Sequence, residues 1–388
     1  MAPLEASAAT NVWLARLPEA QRLAAQAATD ARLIGWLAGA VVFVAAAAIV
    51  ARAGLLGALT RRINAARPRP WLAGAAAAGA LALALAFGTA LADGIAGWRV
   101  DAILAAGGGA PSAGLVAHLE ATLAGVLPRV AAAIILVPPL AWLMRRRPGS
   151  WPLFVGAAAA ALILALFWLP YASSAWPDDG PAPPGPTRDA VVRLIAETHL
   201  PATTVRFEAD PSFDVDVTGG FGHAKVLIGP KLMALPPAEA SALTGHLMGH
   251  YAHNDILLAC LAAGAVMFVG CVAAQRGAAP LSRALGASGV TNPAEPAALP
   301  ALAIIGGATL TLAWLAAAAY FRWANFGADA FSLDHARQPD ALVAVLEREW
   351  DRRDSVAPSP LETVLFYSHP PLQDRVAHAM AWKAAHPM

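Results

Sequence analysis

The stretch from 71 to 92, "WLAGAAAAGALALALAFGTALA", contains no charged residue, and no soluble fold of ordinary size needs an unbroken apolar run of that length. A helix of about 20 such residues spans the hydrocarbon of a bilayer, and the chain offers five further runs, at 34 to 57, 130 to 144, 151 to 172, 256 to 274 and 300 to 321. The run at 130 to 144 is the shortest and carries Pro138 and Pro139. The composition agrees: 58% of the residues are hydrophobic, 14% are charged, and the mean hydropathy is +0.54. Together these features predict a mainly α, polytopic helical membrane protein. The first run starts too far from Met1, and lacks the basic flank, to read as a cleaved signal peptide.

Arginines set the expected orientation, because short cytoplasmic loops collect positive charge. Arg61, Arg62, Arg67 and Arg69 follow the first run, and Arg145, Arg146 and Arg147 follow the third. Both loops are therefore expected on the cytoplasmic side. With four spans before residue 173, the polar region after them falls on the exoplasmic or periplasmic side of the cell membrane. This assignment inverts if the third run does not span. A net charge of +1 gives no electrostatic reason to expect nucleic acid, whose binding needs a concentrated basic surface. Cys260 and Cys271 sit in one apolar run as small packing residues.

The domain order reads as an N-terminal segment 1–33, four transmembrane helices over 34–172, a proline-rich linker 173–188, a polar unit 189–255, a transmembrane hairpin 256–321, and a second polar part 322–388. In the polar unit "RDAVVRLIAETHL" has the spacing of an amphipathic helix, whereas "TTVRFEAD", "FDVDVTGG" and "HAKVLIG" read as short strands. "LPPAEASALTGHLMGHYAHND" then runs as a helix with His246, His250 and His253 on one stripe. An HxxxH pair at this spacing suits one zinc ion, although many such pairs are simply polar faces of surface helices. One ion does not take all three imidazoles, since His246 and His253 stand about 10 Å apart along the axis. A third ligand must come from elsewhere. Directly after the first histidine, where a zinc protease carries its glutamate, this chain has Leu247.

Four stretches in order give these histidines a wider context. "ALTGHLMGHYAHND" resembles the active-site helix of the membrane zinc metallopeptidases known as type I CAAX prenyl endopeptidases and their bacterial relatives. "DVDVTGGFGHAKVLIGPKLM" (214 to 233) resembles that family's edge strand, glycine turn and hairpin. "NFGADAF" (325 to 331) resembles its third-ligand segment, and "YSHPPLQDRV" (367 to 376) its Ser/Thr-His-Pro-Pro motif. The resemblance implies a small α+β, zincin-like metallopeptidase domain inserted among the spans, with His246 and His250 as zinc ligands. It places the ligand glutamate on Asn325 and the general-base glutamate on Leu247. It makes Asp329 the residue that orients a histidine, and puts His369 on the site side. Ser368 and the prolines after His369 also read as a helix start. His253 and Asp255 read as structural or interfacial residues, and His223 as a turn residue. Asp214, Val215, Asp216 and Val217 would hold a peptide as an added strand.

The two departures both remove carboxylates. An amide brings no charge to zinc and binds only through its carbonyl oxygen. Leucine cannot take a proton from water, a transfer worth about 10² to 10⁴ in rate. The expectation is therefore a pseudoprotease that holds zinc weakly or not at all and retains peptide binding, with membrane lipids and a peptide or membrane protein as partners and no nucleic acid. The alternative is an active zinc endopeptidase in which Asp329 replaces the missing base. A channel or transporter is disfavoured, because no predicted span has a charge at its centre.

Overall fold

The computed structural model describes residues 2–173, 178–200, 204–220, 224–287 and 289–387. The chain divides into two compact units. One comprises Met1–Arg22, Ala161–Ala263 and Leu315–Met388; the other comprises Leu23–Ala160 and Gly264–Trp314.

Six helices among the described residues are long and apolar enough to cross a membrane: Glu19–Arg52, Pro70–Ala106, Leu115–Arg146, Trp151–Ala172, Asp255–Ala284 and Pro296–Ala336. They overlap the six runs read from sequence, although the first begins at Glu19, inside the expected N-terminal segment, and ends at Arg52, before the expected 57. The third is longer than expected, its extra residues lying mainly before 130, and Pro138 and Pro139 sit inside the Val126–Arg146 helix without ending it. Neighbouring helices make such prolines tolerable in a bilayer, where freed backbone groups find other partners. Pro138 is buried, and the nearest neighbour of Gly74 on the Pro70–Ala106 helix is this proline. That helix packs through small residues, with Ala73, Ala77, Ala78 and Ala90 buried. A Cβ on Gly79 would come within 3.0 Å of Ile134. Without a hydrophobic driving force between helices in lipid, close approach of this kind is what holds them together. Large side chains such as Val41, Ile49, Leu127 and Ile135 are exposed on the outer faces, as lipid contact requires.

In the other unit the chain forms a four-stranded sheet: β1 (Gly180–Pro181), β2 (Thr204–Phe207), β3 (Val215–Thr218) and β4 (Lys225–Ile228), in the order β1-β2-β4-β3. β2 and β4 run parallel, while β3 pairs antiparallel with β4, Val215 facing Ile228 and Thr218 facing Lys225. The short β1 comes from the proline-rich segment, which the sequence marked only as linker. That segment ends one turn early, at Gly185, because Pro186 opens the Pro186–Thr198 helix at its first position. Val191, Leu194, Val217, Val226, Ile228 and Met248 bury together between the sheet, this helix and the histidine helix. A second core joins Leu342, Val343, Val376 and Met380 to Ala6 and Leu14 of the first helix, Ala2–Leu14. The first half of the N-terminal segment is thus part of this unit's core, a role its sequence alone did not disclose.

Candidate metal centre

The histidine helix runs Pro237–Ala252, and Asn254, at φ 56°, turns the chain into the Asp255–Ala284 helix. Asparagine tolerates this left-handed conformation better than most residues. The histidine helix crosses the Leu299–Ala336 helix at glycines: a Cβ on Gly249 would meet the Ala328 backbone at 2.7 Å, and one on Gly245 would meet Ser332 Oγ at 3.0 Å. Ser332 Oγ donates to Ala242 O at 2.7 Å across the same crossing. Because His246 and His250 directly follow these glycines, the close contact brings both imidazoles against the second helix. That helix continues without a break from the predicted last span through Asn325 and Asp329.

Asp329 is fully buried. Its Oδ1 lies 2.8 Å from His246 Nδ1 and accepts from Arg375 Nη2 at 2.6 Å, and its Oδ2 accepts from Arg375 Nε at 2.8 Å. A carboxylate that only accepts requires the His246 proton on Nδ1, which leaves the Nε2 lone pair available. His250 Nδ1 is held likewise by Asp255 Oδ2 at 2.7 Å, and Tyr320 donates to the other oxygen of Asp255 at 2.7 Å. The two rings stand edge to face with centroids 4.8 Å apart. Burial, reinforced by the Arg375 charge, lowers the His246 pKa against the pull of Asp329 and keeps the ring neutral, as a metal ligand must be.

Asn325 is also buried. Its Nδ2 donates to Phe321 O at 2.8 Å, while its Oδ1 has no partner among the described residues. An orphaned buried carbonyl oxygen is costly unless something meets it. The donor set therefore suits a divalent cation held by His246, His250 and the Asn325 amide oxygen, two nitrogens and one oxygen with no anionic ligand. Zinc bound there would supply Lewis acidity to a bound water. Among the described residues no group of three His, Cys, Asp or Glu side chains gathers at metal-binding distance.

A cavity of about 500 Å³ opens beside His246, with Leu243, Leu247, His369 and Arg375 among its walls. Leu247 faces this space next to the first histidine. Asp329 is not placed to replace it as base, because both of its oxygens are engaged and it has no exposed surface. His369 lines the cavity, and burial together with the Arg375 charge pushes its pKa down to about 4. The expected cap at Ser368 does not form: the following helix, Leu372–Ala385, begins after Pro371 with no side-chain cap, and Ser368 Oγ lies 3.2 Å from His369 Nδ1. Arg322 donates to the carbonyls of Thr363 and Tyr367, which ties the His369 segment to the Leu299–Ala336 helix.

β3 is the edge of the sheet, and Val215, Asp216 and Val217 lie in it. Asp214 stands just before it and continues the ladder by accepting from Gly229 N at 2.7 Å. Val217 points into the core, whereas Asp216 turns its Oδ1 to the Val217 N–H at 2.7 Å. His253 is exposed and packs by Phe331, apart from the histidine pair, and His223 lies outside the described residues. Sequence reasoning missed Arg375 and Tyr320, and it gave Asp255 no part in the site. Arg375 had a signal: an aspartate expected deep in a helix crossing needs a cation, and an arginine stands in the Ser-His-Pro-Pro stretch.

A search of the curated proteins finds no match. Among solved structures the chain is similar to the crystal structure of S. mikatae Ste24p, with a TM-score of 0.54 and 14% sequence identity over 80% of each chain. That likeness carries the fold, a helical membrane protein with a small sheet. The model of a protein family described as Peptidase family M48 matches residues 186–383, just over half of the sequence, and takes in the histidine helix, the Asn325 segment and the Ser-His-Pro-Pro motif. The chain belongs to peptidase family M48, the membrane zinc metallopeptidases that its motifs resemble.

Proposed function

We propose that this M48 member is a pseudoprotease: it binds extended peptide segments along β3 and does not hydrolyse them. One observation carries the reading, the loss of both carboxylates from an otherwise preserved frame. Leu247 stands in the cavity wall beside His246, and Asn325 offers a neutral oxygen where an anionic ligand would neutralise the cation. Each histidine nevertheless has its carboxylate partner, so the frame that orients the two rings is intact. A neutral donor set holds zinc loosely, and no side chain at the first histidine can take a proton from its water.

Peptide capture by strand addition needs the backbone of a sheet edge, and the edge position of β3 supports this reading. Arginine placement supports an exoplasmic location for the metallopeptidase unit in the cell membrane, because the arginine-bearing loops follow the first and third spans and the unit follows the fourth.

The test is binding and turnover measured on one sample. The purified protein, loaded with zinc, is mixed with a fluorescent unstructured polypeptide; anisotropy should report binding while mass spectrometry finds no new termini. Chelator-sensitive fragments would overturn the proposal in favour of an active endopeptidase, and absence of any binding would remove the peptide-capture part.

A further inference from the structure

In the membrane unit the helices Pro70–Ala106, Val126–Arg146 and Leu299–Ala336 border a cavity of about 270 Å³. Every lining side chain is Ala, Leu, Val, Met or Pro, among them Leu81, Leu85, Val137, Leu140 and Leu302. No polar side chain lines it to hold water, so it suits a hydrocarbon chain.

Charge marks one end of this cavity. Met144 and Ala294 line it there, and Arg145, the next residue after Met144, donates from Nη1 to Ala294 O at 3.3 Å. The remaining donors of that guanidinium have no partner among the described residues. The Arg146 guanidinium stands 5.7 Å from the centroid of the Trp142 ring, and Arg146 and Arg147 are exposed with no carboxylate partner among the described residues. The Pro70–Ala106 helix runs the other way, so Arg67 and Arg69 at its start lie at the same end. Apolar clusters joining Ala51 to Ala287 and Ala298, and Met144 to Ala294, bring Arg52 and Arg283 there too. The one carboxylate in these loops, Glu295, is occupied by the backbone N–H groups of Thr291 and Asn292.

Membrane insertion alone accounts for arginines in these loops. It does not account for a dry cavity with an arginine hydrogen-bonded to its rim. We propose that this is a binding site for an anionic phospholipid, with one acyl chain in the cavity and the phosphate held by Arg145, Arg146 and Arg147. Guanidinium forks match phosphate oxygens, and an apolar slot beneath them positions the chain. The site is confined to the membrane unit and is independent of the function proposed above.

Native mass spectrometry of the whole chain in detergent, titrated with phosphatidylglycerol or phosphatidylcholine, tests this directly. Phosphatidylglycerol should bind about tenfold more tightly or better, given three arginines at the headgroup. The combined Arg145→Gln, Arg146→Gln and Arg147→Gln variant should bind both lipids alike. A second measurement needs no variant: phosphatidylglycerol carrying a photoreactive group at the end of an acyl chain should cross-link to Val137, Leu140 or Leu302. Equal affinity for the two lipids, a preference that survives the triple substitution, or cross-links spread over outward residues such as Val41 and Ile135 would each overturn the proposal.

Discussion

Asp329 and His246 meet at 2.8 Å, and the same carboxylate is clasped by Arg375 through both of its oxygens. This buried triad fixes the histidine tautomer and engages both oxygens of an aspartate that has no exposed surface. The relationship makes Asp329 a positioning residue. Asp329→Asn should therefore act mainly on stability, because it strands the Arg375 charge in the interior, a loss of about 3 to 5 kcal/mol for a broken buried pair. A denaturation midpoint unchanged from wild type would contradict this.

The second histidine gives a different expectation. His250 is aimed by Asp255, which Tyr320 steadies in turn. Asp255→Asn should weaken zinc binding by about 10- to 100-fold, the usual cost of losing such an outer partner, and Tyr320→Phe by less. Calorimetric titration with zinc measures both. A Tyr320→Phe effect larger than that of Asp255→Asn would show that the hydroxyl acts by another route.

Two glycines bring the site together. Gly249→Ala places a methyl 2.7 Å from the Ala328 backbone, which side-chain rotation cannot relieve. The expected loss is about 1 to 3 kcal/mol by overpacking, with metal affinity reduced as the helices part. Gly306→Ala, where nothing lies within 4 Å, serves as the control and should change neither.

How far the sequence disclosed all this depends on range. The spans were legible because twenty apolar residues declare themselves locally, and so were β2, β3, β4 and the histidine helix, whose periods are local too, whereas β1 was hidden in the proline-rich segment. The third span was undersized at its start, because His118, Glu120 and Arg129 interrupt the apolar pattern before residue 130. The Arg375 clasp and the core that joins Ala6 and Leu14 to the C-terminal helix could not be read at all. Each unites residues more than forty positions apart, with no periodic signal to link them. The missing carboxylates at Leu247 and Asn325 needed no structure to be seen, but the unpartnered oxygen of Asn325 did.

The edge strand makes a prediction about pH. Burial raises the pKa of Asp216 above its ordinary 3.8, against the weaker opposing bond from Val217 N–H. The folded state then favours the protonated acid, so ionisation carries a stability penalty that is absent below 3.8 and complete once pH has risen past the folded value. Asp216→Asn should raise the unfolding temperature at neutral pH, and the gain should vanish on acidification. A gain that persists at low pH would show that burial of charge is not its cause.

The most direct measurement compares cleavage of an unstructured polypeptide by the zinc-loaded wild type and by Leu247→Glu combined with Asn325→Glu, each with and without chelator. The wild type should be inert, with zinc bound more tightly and chelator-sensitive cleavage appearing only in the double variant. Wild-type cleavage abolished by His246→Ala, or wild-type zinc affinity equal to that of the double variant, would contradict the claim that two absent carboxylates silence this centre.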